Sequence, residues 1–489
     1  MQRTFLRNLA LLLVLNLLVK PFYILGIDAG VQVRVGTEVY GGYAALLSLS
    51  FLLNILLDLG ITNYNTRHLA QHTHLMRAHL GGILAMRLVL VVLYGVATLL
   101  AGLVLGYAAA AIGLLAWLVL NQALAGMLLY LRGNVAAAQR FAQDSLLSVL
   151  DRVLLIGICG WLLWGRATGT PFRIEWFVWA QTASYALAVV VAFVLVRRRT
   201  GRILVRWSPG FSWNILRQSF PYALLILLMT FYYRTDTVML ERMLPNGALQ
   251  AGIYAQAFRF FEALNMLGYL LAGLLLPMFS RMLRQGEDVA PLAGLAFRLV
   301  WVGTLWAALV GIAHAHEVMA LRYTEHVGAS APVFAVLLAC FMAVCTTYVF
   351  GTLLTAHGDL RALNMMAAAG MVVNIGLNVV LIPRYQAFGA AWASLITQVG
   401  TAVVQVVLAT VRFGWRPAPA ALLRPMLLGG LLVMLAFGLS ARGTSLPADA
   451  VVLGVAAVVL AFLTRTLSWS ELRGALRRTA PPGGAEPLL

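Results

Sequence analysis

Long apolar segments separated by short polar ones run along almost the whole chain. About fourteen of these segments reach the roughly 20 residues that an α-helix needs to cross a bilayer. They lie at residues 5–28, 40–63, 80–105, 107–131, 146–165, 175–196, 219–240, 249–279, 292–314, 331–356, 362–382, 387–411, 421–440 and 449–467. The pattern predicts an all-α polytopic membrane protein with about 14 transmembrane helices.

The composition agrees with this prediction. The chain has 489 residues, of which 62% are hydrophobic and 11% charged, whereas a soluble domain has about 25% charged residues. A soluble protein is therefore excluded. The three cysteines (Cys159, Cys340 and Cys345) lack CxxC spacing, so we expect no disulfide, no metal site and no cofactor.

The formal charge of +18 is unevenly distributed along the chain. If the N-terminus is cytoplasmic and the spans alternate, about 24 Lys and Arg residues fall on cytoplasmic segments and about 7 on the other side. This asymmetry predicts that both termini are cytoplasmic. It also explains the basic balance by membrane topology, so we expect the lipid bilayer, and no nucleic acid, as a partner.

A weak internal repeat divides the chain. Residues 41–56 align with residues 252–267, so that Gly41 matches Gly252 and Tyr43 matches Tyr254. The second span thereby matches the eighth, as expected for two six-helix lobes in a parallel repeat followed by two C-terminal helices. The predicted parts are an N-lobe (1–200), a cytoplasmic amphipathic connector (201–218), a C-lobe (219–412), spans thirteen and fourteen (413–470) and a cytoplasmic tail (471–489).

Four basic residues lie inside apolar spans: Lys20, Arg87, Arg234 and Arg259. A charge near the centre of a span costs about 2.5–3.5 kcal/mol, and such residues usually face a bundle interior or a polar path. We therefore interpret all four as candidate substrate-binding residues. Lys20 and Arg234 rank first because they occupy corresponding depths in the first and seventh spans, as a two-sided basic clamp.

Two acidic residues in the spans, Asp236 and Glu262, are candidates for coupling transport to an ion gradient. Glu262 follows Arg259 by three positions, where a pair can form within a helix. An internal ion pair is therefore an equally good interpretation of these two residues. Counted together, the intramembrane charges lean positive by about two, which favours an anionic substrate group.

Three stretches resemble the Wzx-type oligosaccharide flippases, a family of the multidrug/oligosaccharidyl-lipid/polysaccharide exporter superfamily. These stretches are 33–70, 252–283 and 371–398. The third is the most specific, since Asn374 and Asn378 match the family's Asn-x3-Asn pattern ahead of Ile-Pro and Gly-Ala-Ala elements. One departure is Gln386, which follows Tyr385 where a common variant of the motif has glycine. We expect this change to leave the fold intact.

The resemblance covers roughly 5–412 and implies a transporter without enzymatic activity. Its function would be to flip undecaprenyl-diphosphate-linked oligosaccharide by alternating access, with a cationic central cavity for the diphosphate or acidic glycan. It implies a monomer in the bacterial inner membrane, with other polysaccharide assembly proteins as further candidate partners.

Two other functions stay open at this point. One is an ion-coupled multidrug antiporter of the same fold, although surplus Lys and Arg in its cavity would repel cationic drugs. The other is a membrane glycan polymerase or ligase, which the short external loops disfavour.

Overall fold

The structure, a computed structural model, describes residues 14–61, 76–137, 140–165, 171–200, 209–416, 419–469 and 471. Helices make up 89% of it, and the described residues form no strand. The helices are α1 (Val14–Val35), α2 (Thr37–Leu52), α3 (Met76–Val104), α4 (Ala109–Ala137), α5 (Phe141–Trp164), α6 (Ile174–Thr200), α7 (Pro209–Met243), α8 (Gly247–Gln285), α9 (Ala290–Ala313), α10 (Ala315–Ala320), α11 (Val327–His357), α12 (Leu360–Arg412), α13 (Pro419–Ser440) and α14 (Leu446–Leu463).

Each predicted span coincides with a helix in this part of the chain. Among the described residues, 12 helices are long and apolar enough to cross a membrane. Two features account for the difference from about fourteen predicted spans. Helix α2 has 16 residues and is followed by a 3-10 turn, and α12 joins two helices across a kink at Gln386, which correspond to 362–382 and 387–411 and count as one span. The all-α polytopic fold is thus confirmed, and the protein is a multi-pass membrane protein.

Helix α12 changes direction at the departure from the family motif. Gln386 has a φ of 54°, inside the left-handed region that favours glycine. A non-glycine residue in such a sparsely populated conformation costs roughly 1–3 kcal/mol. The side-chain oxygen Oε1 of Gln250 accepts a hydrogen bond of 3.2 Å from the N–H of Ala387, and this contact supports the bend from α8.

The chain divides into two compact units. The first comprises Met1–Leu267, Met319–Leu337 and Leu360–Thr397, and the second comprises Gly268–Val318, Leu338–Asp359 and Gln398–Leu489.

The two-lobe boundaries and the repeat stay predictions. Of the predicted connector, residues 209–218 form the first turns of α7. The rest of the connector, together with residues 1–13 and 472–489, lies outside the described residues.

In the first unit, an apolar core joins α1, α2 and the facing sides of α4, α5 and α6, and α2 packs along α7. Within α1, the stretch Tyr23–Asp28 is π-helical and begins two residues after Pro21. A proline removes a backbone donor and disturbs the regular ladder. Single π-helical turns frequently mark functional sites, so this part of α1 directs attention to Asp28 and to the carbonyl groups beside it.

In the second unit, α13 and α14 pack against α9 through an apolar core that includes Leu305, Leu428 and Ala457. His314 joins the same elements: its Nε2 lies 2.8 Å from Asp449 and its Nδ1 lies 3.2 Å from Glu317. Burial lowers the pKa of His314, but the hydrogen bonds to the two carboxylates outweigh burial and raise it above the usual value. The imidazole therefore ties the last two helices to α9 most strongly when it is protonated.

Candidate functional site

The N-terminal ends of α2 and α8 cross at very close range. A Cβ atom added to Gly41 would overlap the carbonyl oxygen of Ala248, and one added to Gly252 would overlap that of Thr37. Residues 37 and 41 match residues 248 and 252 in the predicted repeat, so the contact is reciprocal. Small residues four apart let two helix backbones approach in a membrane. We call this contact the glycine crossing.

Hydrogen bonds surround the glycine crossing. The side chain of Gln32 donates to the carbonyl oxygen of Gly252 at 2.9 Å, and Thr37 donates to the carboxylate of Glu325 at 3.3 Å. Gln256 donates both to the Thr37 hydroxyl at 3.3 Å and to the Glu325 carbonyl at 3.2 Å. These bonds join α1, α2, α8 and the loop before α11 into one seal.

Arg322, in the loop between α10 and α11, extends this seal to the π-helical part of α1. Its guanidinium donates to the carbonyl oxygens of Leu25 at 2.6 Å and Gly26 at 2.8 Å. A Cβ on Gly30 would lie 2.8 Å from the same guanidinium. The loop thus packs against backbone groups of α1. A larger residue at position 30 would occupy the space of the Arg322 guanidinium.

A group of four charges lies close to the glycine crossing. Arg259 lies 3.0 Å from Asp28 and forms an ion pair with Glu262, which also lies 2.9 Å from Arg234. Tyr40 donates to Asp28 at 2.6 Å and accepts from Arg259 at 3.0 Å. We call Asp28, Arg234, Arg259 and Glu262 the charge quartet.

The charge quartet is electrically balanced, with two acids and two bases. It contains the internal ion pair that we considered for Arg259 and Glu262, together with Asp28, which the sequence analysis did not select. The guanidinium of Arg234 also lies over the rings of Phe51 and Phe258, at 4.6 and 5.4 Å from their centroids. Arg234 is therefore already paired and stacked in this conformation.

Lys20 lies elsewhere on α1, among basic residues. The charges of Arg152 and Arg132 act on its ammonium group, as does the nearby carboxylate of Asp151. Arg132 is paired with Asp144 at 2.9 Å. Among the described residues, no carboxylate lies within 4.0 Å of the Lys20 ammonium. Lys20 is half-buried, so this gathering of like charges favours an anion.

Arg152 is the second important member of this basic group, and sequence reasoning missed it. Its guanidinium lies 4.5 Å from the ring centroid of Tyr23 and 5.6 Å from that of Tyr185. The Nε atom of Arg152 lies 3.4 Å from the carboxylate of Asp151. The Asp-Arg dipeptide inside the apolar run 146–165 was the signal that could have revealed it. We call Lys20, Arg132 and Arg152 the basic group.

The structure places Arg87 in a separate, closed environment. It is 2% exposed and forms an ion pair with Asp58. It also donates to the carbonyl oxygen of Gly126 at 3.0 Å, and its guanidinium lies 4.6 Å from the ring centroid of Tyr130. These contacts join α3 to α4 and to the 3-10 turn that follows α2, as expected of a residue that holds helices together.

Asp236 has a different environment from the other acids. It is 1% exposed and accepts hydrogen bonds from Asn378 at 2.6 Å, from Tyr254 at 3.0 Å and from Ser394. No basic side chain among the described residues lies within 4.0 Å of it. Asn378 also donates to Asn374 at 3.1 Å, so the residues of the third family motif form a neutral polar shell around this carboxylate.

These positions change the charge balance inferred from the sequence. The five bases Lys20, Arg87, Arg152, Arg234 and Arg259 are matched in number by the nearby acids Asp28, Asp58, Asp151, Asp236 and Glu262. The earlier count omitted the residues near span ends and the Asp-Arg dipeptide. No contact joins Lys20 to Arg234 within the described chain. Surplus positive charge is therefore local, at Lys20 and its neighbours.

Comparison with known proteins places the chain in a family. Residues 5–283 match the family model described as polysaccharide biosynthesis protein. No match was found among curated proteins.

Several solved structures share the fold. The lipid II flippase MurJ in an inward closed conformation is similar with a TM-score of 0.70 and 11% identity, over 94% of this chain and 98% of that chain. An inward-facing multidrug resistance MATE family transporter of the MOP superfamily is similar with a TM-score of 0.60 and 13% identity, over 81% of this chain and 94% of that chain. A MOP superfamily transporter from Pyrococcus furiosus is similar with a TM-score of 0.56 and 13% identity, over 82% of this chain and 95% of that chain. The reverse polarity of its binding pocket suggests a different function for that protein.

The family match extends over more than half of the chain and includes the first two stretches that carry the resemblance to the Wzx-type flippases. The similar structures share the all-α polytopic fold seen here. This chain belongs to the polysaccharide biosynthesis protein family and has the fold of the MOP-superfamily transporters.

Proposed function

We propose that the protein flips undecaprenyl-diphosphate-linked oligosaccharide from the cytoplasmic to the outer leaflet of the bacterial inner membrane. The observation that carries this proposal is the basic group, which gathers like charges at membrane depth in a protein of a polysaccharide biosynthesis family. A diphosphate carries the negative charge that Lys20 lacks, since Arg132 and Arg152 already contact carboxylates and Lys20 contacts none among the described residues. Both termini are cytoplasmic, and the protein works as a monomer.

In this proposal, Lys20 and Arg152 bind the diphosphate while the glycan passes through a polar path and the prenyl chain stays in lipid. The guanidinium of Arg152 offers a planar fork of donors, and Lys20 offers a compact charge. Transport by alternating access requires the glycine crossing to open towards the outer leaflet and then to close again. Arg234 and Arg259 take part through the charge quartet, which holds α1, α7 and α8 together when the crossing is closed.

We expect Lys20→Ala and Arg152→Ala each to reduce export of the lipid-linked oligosaccharide by at least about tenfold. A hydrogen bond to a charged group contributes about 1.5–3 kcal/mol, and about 1.4 kcal/mol corresponds to a tenfold change. Export is measured by complementation of a flippase-deficient strain and by flipping of the lipid in proteoliposomes.

Two further variants separate binding from folding in this experiment. Arg384→Ala removes an exposed arginine of α12 and should leave export unchanged. Lys20→Arg keeps the positive charge and should retain most of the export activity. Full export by both alanine variants, with normal amounts of folded protein, contradicts the role of the basic group. Resistance to cationic drugs without glycan export would instead establish an antiporter.

We further propose that Asp236 binds the coupling cation, a proton or a sodium ion. A buried carboxylate without a basic partner is costly when ionised, so it favours a bound cation. Ser394 and Asn378 donate to this carboxylate, so in this proposal the cation binds the carboxylate together with side-chain oxygens such as Oδ1 of Asn378, which has no hydrogen-bond partner among the described residues. Glu262, by contrast, is already neutralised by Arg234 and Arg259, so we assign it to the charge quartet.

Asp236→Asn is expected to make flipping independent of the ion gradient and to slow it about tenfold or more, because the amide cannot bind a cation by charge. Proteoliposomes with an imposed pH or sodium gradient test this outcome. Asp359→Asn, which changes an acid paired with Arg412 at 2.9 Å, is the matched control. An Asp236→Asn protein that still responds to one of the gradients contradicts the assignment.

A further inference from the structure

A cavity of about 550 Å³ lies where α2, α4 and α6 begin and α7 ends. Its lining includes the aromatic residues Tyr43, Tyr107, Trp117 and Trp179 and three charged residues, Glu175, Glu241 and Arg242. None of these charged residues belongs to the charge quartet or the basic group. The volume falls within the roughly 300–1,000 Å³ of ligand pockets in proteins.

The walls of this cavity combine apolar and aromatic surface. Trp117 and Trp179 meet edge to face with ring centroids 6.4 Å apart, and they are 41% and 47% exposed. Gly42 and Gly113 also line the cavity, and no atom lies within 4 Å of where their Cβ atoms would be. Glu175 lies in the first turn of α6 and Arg242 in the last turn of α7, and such helix ends, with tryptophans beside them, are typical of the depth at which lipid headgroups lie. The cavity therefore offers apolar space at headgroup level.

The rim carries charges of both signs. Arg242 donates three N–H groups, two to Glu241 and one to the carbonyl oxygen of Leu105 at 3.1 Å. A guanidinium has five such groups, so two remain for another acceptor. Glu175 has a 3.3 Å contact with Arg173 in which both side chains are substantially exposed. An exposed pair of this kind is worth about 0–1 kcal/mol, so Glu175 can exchange it for another cation.

We propose that this cavity binds the headgroup of a zwitterionic aminophospholipid. The lipid phosphate accepts the two remaining N–H groups of Arg242. The ammonium group binds Glu175 and the face of Trp179, where a cation over an aromatic ring gains about 0.5–1 kcal/mol at an exposed site. The glycerol and the first acyl carbons occupy the apolar walls. The charge pattern of the rim is complementary to this headgroup and offers an anionic headgroup only one of its two contacts.

Native mass spectrometry of the full-length protein, stripped of lipid and titrated with phosphatidylethanolamine or phosphatidylglycerol of identical acyl chains, tests the proposal. We expect one phosphatidylethanolamine to bind about fivefold more tightly than phosphatidylglycerol, the equivalent of about 1 kcal/mol. Glu175→Gln and Trp179→Ala should each remove this preference and leave the thermal stability of the protein unchanged.

Trp161→Ala is the matched control, since Trp161 is 64% exposed on α5 and does not line the cavity. It should keep the preference for phosphatidylethanolamine. The proposal is overturned if the wild-type protein binds both lipids equally, or if its preference survives in both Glu175→Gln and Trp179→Ala. Displacement of the bound lipid by a soluble oligosaccharide would show instead that the cavity is a glycan site.

Discussion

Replacing Gly252 by leucine is expected to abolish most export by preventing the glycine crossing from closing. A side chain at this position overlaps the backbone of Thr37 on the facing helix, so no rotamer change relieves the clash. Overpacking costs about 1–3 kcal/mol or more, which lowers the population of the closed state by about fivefold to 150-fold. Gly41→Leu should have the same effect, since it overlaps Ala248 in the reciprocal contact.

The conformational effect of Gly252→Leu is measurable apart from export. A cysteine introduced at Gln256, which is 1% exposed beside the glycine crossing, should react faster with a membrane-impermeant maleimide in the Gly252→Leu background. Gly252→Ala should give an intermediate result. Gly303→Leu is the control, because no atom lies within 4 Å of where its Cβ atom would be. Normal export by Gly252→Leu would falsify the role of the glycine crossing.

Arg259→Met is expected to destabilise the protein by about 3–5 kcal/mol, the cost of removing one partner from a buried ion pair. Among the described residues, Asp28 would then keep only the hydroxyl of Tyr40 as a partner, while Glu262 would keep Arg234. The uncompensated charge is therefore at Asp28. Thermal unfolding of the purified protein in detergent measures the loss as a fall in Tm.

A second substitution distinguishes this role from substrate binding. Asp28→Asn in the Arg259→Met background removes the stranded charge and should recover a large part of the stability, because residues in one network are coupled. If Arg259 served only to bind substrate, Arg259→Met would be as stable as the wild-type protein and Asp28→Asn would rescue nothing. Arg384→Met, at an exposed position, controls for loss of an arginine.

The spans were predictable because hydropathy is a local property of consecutive residues. Even the two spans that α12 joins across its kink are visible in the sequence as separate apolar runs. The bend between them lies at Gln386, where the sequence departs from the family motif, but the positive φ of Gln386 could be seen only in the structure. The motif residues Asn374 and Asn378 were recognised by resemblance alone, and the contact of Asn378 with Asp236 joins residues 142 positions apart.

The pairing of the intramembrane charges was not predictable in the same way. Depth along a helix fixes the height of a side chain, but the direction in which it points depends on how the helices pack. Lys20 and Arg234 have similar depths in their predicted spans, yet the first has Arg152 as a neighbour and the second has Glu262. Asp28 and Arg259 meet only because α1 and α8 do, and nothing near either residue in the sequence indicates the other.

The hydrogen bonds from Arg322 to α1 are made with backbone groups. Its guanidinium holds the carbonyl oxygens of Leu25 and Gly26, which every amino acid supplies, and it does not depend on their side chains. The side chains on this stretch of α1 can therefore change without loss of the two hydrogen bonds. Gly30 is the exception, because a larger residue there would displace the guanidinium. A contact made to backbone oxygens thus fixes the position of α1 and leaves its side chains, apart from position 30, to meet other requirements.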